Sequence, residues 1–331
     1  MRIALTYTIG DVAAVDCLEN LLGAHGEHDA PATLFVAGRV AEVARDRLLR
    51  ALAAWPDGID VNTAGYRHAR ILRKAPHSLP QPSAQMVQEE VHVGAEAVRR
   101  ALGVPCRGLR PVEGAGAGLI GHRPVLRAMR EAGLQWSSTY LRGVHGDTAP
   151  GDVSPPFAYE SEGFDDIIEL PAHGWAAGAL RSLADGAASS TDGGRPRHPV
   201  AAPGAPPNAP NAAGDPNEQR ILRWPSPFAY PSGPPQTSAE WLTLHAATIT
   251  AAESAALECC CLAFDLSAGD LGQSAADVAQ LLLRHAAGSG IAVTTLTAQA
   301  AELRRDRTRL TPPPEPPASR HSDFDPGRLY A

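Results

Sequence analysis

His68, Arg110, Glu113 and His173 are the residues of this sequence best suited to chemistry. An imidazole and a carboxylate can share general acid and general base work near neutral pH. A guanidinium offers a planar fork that clamps a carboxylate or an amide oxygen. Asp60 and Tyr66 precede His68 in "DVNTAGYRHA" (60–69), and Trp175 follows His173 in "LPAHGW"; these three are candidate ligand-binding residues. Each of the four has a structural alternative. His68 can persist as a hydrogen-bonded residue of the scaffold, and Arg110 and Glu113 can pair with each other. His173 follows the strand-like run "DIIEL" and reads as a strand-end loop residue with aromatic company.

Other chemical signals weaken on inspection. Cys259, Cys260 and Cys261 are adjacent, so a strand points them alternately to opposite faces and only Cys259 and Cys261 share one. They read as small buried apolar residues. "EGAGAGLIG" (113–121) has no Lys-Ser/Thr to make a phosphate loop, and no Gly-x-Ser-x-Gly elbow occurs. His92 and Glu96 stand one helical turn apart, as on a solvated helix face. Trp136 and Trp241 read as core.

The elements that must position these residues alternate in type. Strand runs are predicted at "RIALTY", "ATLFVAG" (32–38), "GIDVNT" (58–63), "CRGLRP", "LQWSSTY", "DIIEL" (166–170), "CCCLAF" and "IAVTTL". Helical patterns fall at 11–24, 39–54, 83–102, 123–132, 238–257, 274–287 and 297–305. Regular alternation of strand and helix predicts an α/β fold, a distorted (β/α) barrel of about seven parallel strands. One barrel domain is expected over 1–183 and 220–308. Residues 184–219 are rich in Pro, Ala, Gly and Asn and read as a disordered insertion, and 309–331 as a disordered tail.

The chain has 331 residues, 44% of them hydrophobic and 20% charged, a balance that supports a sizeable core. A net charge of -7 argues against a nucleic-acid partner. No run of about 18 apolar residues predicts a membrane span, and no signal-peptide pattern opens the chain. A cytoplasmic protein is the expectation. Five cysteines are too few and too odd for a disulfide framework.

Several segments, in order, resemble the polysaccharide deacetylase family, also called carbohydrate esterase family 4. "ALTYTIGD" (4–11) is similar to a strand ending in Thr-Phe-Asp-Asp-Gly-Pro. "APATLFVAGRVAE" (30–42) is similar to the second strand and its helix, and "DVNTAGYRHA" to Glu-Ile-x-x-His-x-Tyr-x-His. "RGLRPVEG" (107–114) resembles the Arg-Pro-Pro motif, and "REAGLQWSSTYLRG" and "DIIELPAHGW" resemble later segments. The resemblance implies the barrel fold, removal of acetyl groups from amino sugars, and zinc or another divalent metal. In such a site two imidazoles and a carboxylate hold the metal, and a second carboxylate acts as base.

Residue by residue, the carry-over fails at the metal. The base position holds Thr8, and the metal positions hold Ile9, Ala64 and His68, of which only His68 is a donor. The position of the late-strand acid falls on Phe264 or Asp265, according to register. No metal and no other cofactor is therefore expected. The reading is a divergent deacetylase-like protein with a degraded metal site. It would bind a carbohydrate, an amide-containing small molecule or a protein partner without standard hydrolysis. The alternative is an active carbohydrate deacetylase or other C–N hydrolase with a relocated site. A purely structural or regulatory subunit is a third class.

Overall fold

The structure is a computed structural model and describes residues 1–72, 82–112, 117–139, 153–173, 238–266 and 275–314. The first strand, β1 (Arg2–Ile9), is almost wholly buried, as a central parallel strand must be. It pairs in parallel with β2 (Ala32–Val36) on one side and with β9 (Cys259–Asp265) on the other. Beyond β2 the parallel order continues through β3 (Ile59–Thr63), β4 (Gly108–Leu109), β5 (Trp136–Ser137) and β7 (Phe164–Glu169). A short strand that sequence patterning did not predict, β6 (Phe157–Tyr159), runs antiparallel on β7. The two-residue strands β8 (Ala172–His173) and β10 (Ala292–Val293) pair in parallel with β9 and β1.

These strands form one ten-stranded sheet. Among the described residues its ladder is not a closed ring. Its two ends are nonetheless joined by the chain, because Leu170 and Pro171 alone separate β7, on β5, from β8, on β9. Across that join Leu170 N–H donates to Ser137 O (2.8 Å) and Ala172 N–H to Thr139 O (2.9 Å). The expected parallel α/β architecture is present, with the sheet curled toward a barrel.

The helices follow the strands. A 3-10 turn (Ala13–Cys17) leads into α1 (Leu18–Glu27). The helix expected over 39–54 is two, α2 (Gly38–Val43) and α3 (Arg45–Ala53), divided at Ala44, which leaves helical geometry. The helix expected over 83–102 starts at a Ser83 cap and contains a π-helical stretch, giving α4 (Ala84–Gln88), Glu89–Val93 and α5 (Gly94–Leu102). Then come α6 (Arg123–Glu131), α7 (Ser238–Ser254), α8 (Ala275–Gly288) and α9 (Leu296–Arg305). "IAVTTL" gives only two strand residues, because Thr295 caps α9 and turns the chain away from the sheet. Among the described residues no helix is long and apolar enough to cross a membrane.

The core lies between sheet and helices and inside the curl. Trp136 is fully buried as expected, and it needs Gly108, where an added Cβ would fall 2.3 Å from the indole. The side chain of Trp241 and all of 184–219 lie outside what is described. The tail expected to be loose from 309 is still held at its start. Leu310 packs against the core, and Thr311 N–H donates to Pro156 O (3.1 Å).

Candidate functional site at the C-terminal ends of the strands

Residues at or just past the ends of β1, β3 and β9 come together here. Thr8 lies opposite Asp265 in the β1–β9 register, so parallel pairing puts both on one face. Thr6, two residues earlier on that face, takes a hydrogen bond from Arg110 inside the curl. Tyr7 and Phe264 occupy the other face, stacked on each other at 5.3 Å, and Tyr7 reaches His25 on α1. The register therefore resolves which residue stands at the end of β9 on the inner side: Asp265. Thr8 is 2% exposed, and its Oγ1 has no hydrogen-bond partner among the described residues. Asp11 follows the β1 turn, and its Oδ1 accepts from Ala14 N–H (2.9 Å), capping the 3-10 turn.

His68 completes the group. It follows β3 through a turn in which Gly65 has φ +91° and His68 itself φ +58°. Burial of the imidazole lowers its pKa, while the carboxylates of Asp265, Glu90 and Asp11, in that order, pull it back up. A neutral imidazole facing anionic groups can accept or relay a proton and can hydrogen-bond a polar ligand. The turn is clamped from α2, where Gly38 N–H donates to Gly65 O (2.8 Å) and Arg39 N–H to Tyr66 O (2.9 Å). Tyr66 is half-buried beside this turn and donates through its hydroxyl to Glu42 Oε2 (3.2 Å).

The donor set does not fit the metal that the family resemblance implies. A divalent ion of that kind wants three protein ligands. Ile9 is 0% exposed and Ala64 2%, both packed in the apolar core, and neither offers a lone pair. Among the described residues no group of three His, Cys, Asp or Glu is placed to hold a metal ion.

The other sequence candidates separate from His68. Arg110 is 1% exposed and points into the curl, toward Thr6 and Ser138. The reason is that its N–H still belongs to the ladder, bonded to Thr63 O (3.0 Å), so the side chain takes an inward strand position. Its guanidinium lies 4.1 Å over the Phe35 ring and donates to Thr6 Oγ1 (2.7 Å) and Ser138 Oγ (2.8 Å).

Asp60 sits at the opposite end of the strands, near the start of β3. There it accepts from Thr297 N–H (3.1 Å), Thr297 Oγ1 (2.8 Å) and Asn62 Nδ2 (2.9 Å). Burial raises its pKa against these bonds. It therefore ties α9 to the sheet rather than meeting a ligand. Asp60→Ala is expected to destabilise the fold by about 2 kcal/mol, since it removes a helix-start acceptor and strands buried donors. Urea denaturation checks this, and an unchanged midpoint contradicts it.

His173 is also buried, with both ring nitrogens engaged by backbone. Nδ1 accepts from Cys261 N–H (3.2 Å), which leaves Nε2–H to donate to Ser154 O (3.2 Å). It lines a cavity of about 20 Å³ with Cys259, Cys261 and Gln299, at the end of the sheet that α9 covers. Glu113 and Trp175 lie outside the described residues.

Two carboxylates escaped sequence reasoning. Glu169 is fully buried and accepts from Ser137 Oγ (2.5 Å), Thr139 N–H (2.6 Å), Thr139 Oγ1 (2.9 Å) and the Tyr159 hydroxyl. Glu90 is buried on the π-helical stretch and bonds the His68 turn. The available signal for Glu90 was its place one helical turn from Val87 and Gly94, on the apolar stripe where a solvated carboxylate has no reason to be.

No protein-family model matches the chain, and no curated protein does. Solved structures do. A Mycobacterium smegmatis protein described as a polysaccharide deacetylase is 17% identical, with 95% of this chain and 92% of that one covered at a TM-score of 0.58. The peptidoglycan deacetylase PdaC of Bacillus subtilis is 12% identical, covering 93% of each chain at a TM-score of 0.45. A CE4 family pseudoenzyme from Bacillus anthracis is 17% identical over 40% of this chain and 41% of that one, at a TM-score of 0.30. The first of these carries the conclusion: this chain has the fold of the Mycobacterium smegmatis deacetylase-described protein.

Proposed function

We propose that this chain is a divergent relative of polysaccharide deacetylases that has given up their metal chemistry. It binds a carbohydrate or an amide-containing small molecule, or a protein partner, at the mouth where His68, Asp265, Asp11 and Thr8 meet. The observation that carries this reading is the pair Ile9 and Ala64, buried and apolar at two of the three positions where the resemblance puts metal ligands. Thr8 at the base position supports it, because a hydroxyl has no basicity near neutral pH. The described cysteines are all free thiols, which suits a reducing, cytoplasmic setting.

Zinc titration of the purified full chain by calorimetry tests the reading. No stoichiometric binding at micromolar zinc is the expected result. One equivalent of zinc, lost in His68→Ala, overturns it. An N-acetylated chito-oligosaccharide, followed by NMR, is expected to shift resonances at the mouth without release of acetate.

A second reading has one observation in its favour, the placing of His68 among the carboxylates of Asp265, Glu90 and Asp11. Such a group can support acid–base hydrolysis of an amide or ester without the family's ligand set. Acetate release that disappears in His68→Asn selects it over simple binding.

A further inference from the structure

We infer that Glu90 is the positioning residue of this mouth: its buried carboxylate fills the concave backbone of residues 67–69 and fixes the pose of His68. The role rests on the reading that His68 works at the mouth. Its geometric basis stands apart from that reading.

Both carboxylate oxygens of Glu90 accept from Arg67 N–H (3.1 and 3.0 Å), and Oε2 also accepts from Ala69 N–H (3.2 Å). The residue between these two donors is His68, whose left-handed φ of +58° is uncommon for a side chain of its size. Such a turn aims successive backbone N–H groups at one point and forms a nest for an anion. Left alone, a left-handed residue other than glycine is in a strained backbone state. The carboxylate offsets that strain with charge-assisted hydrogen bonds, which are about twice as strong as neutral ones.

The helix is shaped for this contact. Glu90 lies in the π-helical stretch Glu89–Val93, where a wider turn shifts the helical phase. Glu90 and Gly94 both face the His68 turn. An added Cβ on Gly94 would fall 2.6 Å from the Gly65 carbonyl carbon, and one on Gly65 2.7 Å from Glu90 Oε2. Helix and turn therefore meet backbone to backbone, with the Glu90 carboxylate against Gly65. Its negative charge also bears on the His68 ring, together with Asp265 and Asp11.

Two variants of the full chain separate reach from charge. Glu90→Gln keeps the shape and loses the charge, and Glu90→Asp keeps the charge and shortens the reach. Amide exchange at Arg67 and Ala69 is expected to speed up at least about ten-fold in both, the equilibrium effect of losing one charge-assisted bond. The His68 Hε1 titration is expected to move to lower pH in Glu90→Gln, because an anion near the ring is gone. Exchange in β1 and β2 should stay at the wild-type rate. Unchanged Arg67 and Ala69 exchange together with an unchanged His68 titration overturns the assignment.

If neither variant folds, the wild-type chain decides. The Arg67 and Ala69 amides must exchange at least about ten-fold more slowly than unprotected amides of the same sequence, and exchange at the unprotected rate overturns it. Binding of the N-acetylated chito-oligosaccharide is expected to weaken about ten-fold in Glu90→Gln. Failure of the wild type to bind that probe counts against the functional reading, while the exchange and titration data still judge Glu90.

Discussion

Arg110→Ala is expected to cost about 3–5 kcal/mol, the scale of emptying a large buried side chain and losing its hydrogen bonds, and a large part of the roughly 5–15 kcal/mol that holds a domain of this kind folded. The guanidinium is buried inside the curl of the sheet and joins segments far apart in sequence. It donates to Thr6 of β1, to Ser138 just past β5 through Oγ and O (2.8 and 3.3 Å), and to Cys261 Sγ of β9 (3.5 Å). Its flat face lies against Phe35 of β2. Alanine removes these four bonds and leaves a cavity where the side chain filled the interior. Arg110→Met restores most of the volume and no charge, so it should lose about 2 kcal/mol less than alanine. Arg110→Lys should not rescue, because an ammonium has neither the fork nor the flat face. Guanidinium denaturation of the three variants checks the order. An Arg110→Ala midpoint equal to wild type, with altered ligand binding, would instead make Arg110 a ligand clamp.

The second large effect is loss of stability in mild acid. Burial lowers the pKa of His25 and His173 to about 4 and that of His245 to about 3. His25 takes the Tyr7 hydroxyl proton at Nε2 (2.8 Å) and donates through Nδ1 to Ala30 O (2.8 Å), so a second ring proton has no acceptor. His173 is engaged in the same way by Cys261 and Ser154. His245 lies against Phe264 at 4.6 Å.

The folded values lie below the ordinary 6.5, so the unfolded chain binds protons first as pH falls. The contribution of each histidine is therefore complete above about pH 6.5 and is lost as pH falls toward about 4, or toward about 3 for His245. Linkage puts it on the order of 3 kcal/mol per histidine over the full window. Asp60 and Glu169, raised by burial, act in the opposite direction as pH falls. Denaturation midpoints at pH 7.5, 6 and 5 should decline steadily, and His25→Gln should flatten the decline. A midpoint constant from pH 7 to 5 contradicts the prediction.

Much of the fold was legible because strand and helix periods are local. "RIALTY", "ATLFVAG", "GIDVNT", "DIIEL" and "CCCLAF" all became strands, since β-branched and apolar runs have few other ways to bury themselves. The lack of metal-donor side chains at positions 9 and 64 was legible for a simpler reason: Ile9 and Ala64 carry none in any fold. Local pattern failed where neighbours decide. The backbone at Ala44 broke a predicted helix, Thr295 diverted a predicted strand, and β6 owes its place to pairing with β7.

The direction of each side chain is where sequence and structure part. By itself the sequence determined the parallel α/β order of elements, the chemical poverty of the first strand's end and the presence of an imidazole at position 68. Tertiary structure alone decided that Arg110 and His173 are buried braces, that Asp60 ties down the last helix, and that Asp265 rather than Phe264 faces Thr8. Inward or outward pointing depends on strand register, and a shift of one residue reverses it. Register is set by hydrogen bonds between segments as distant as β1 and β9, which no short window of sequence contains.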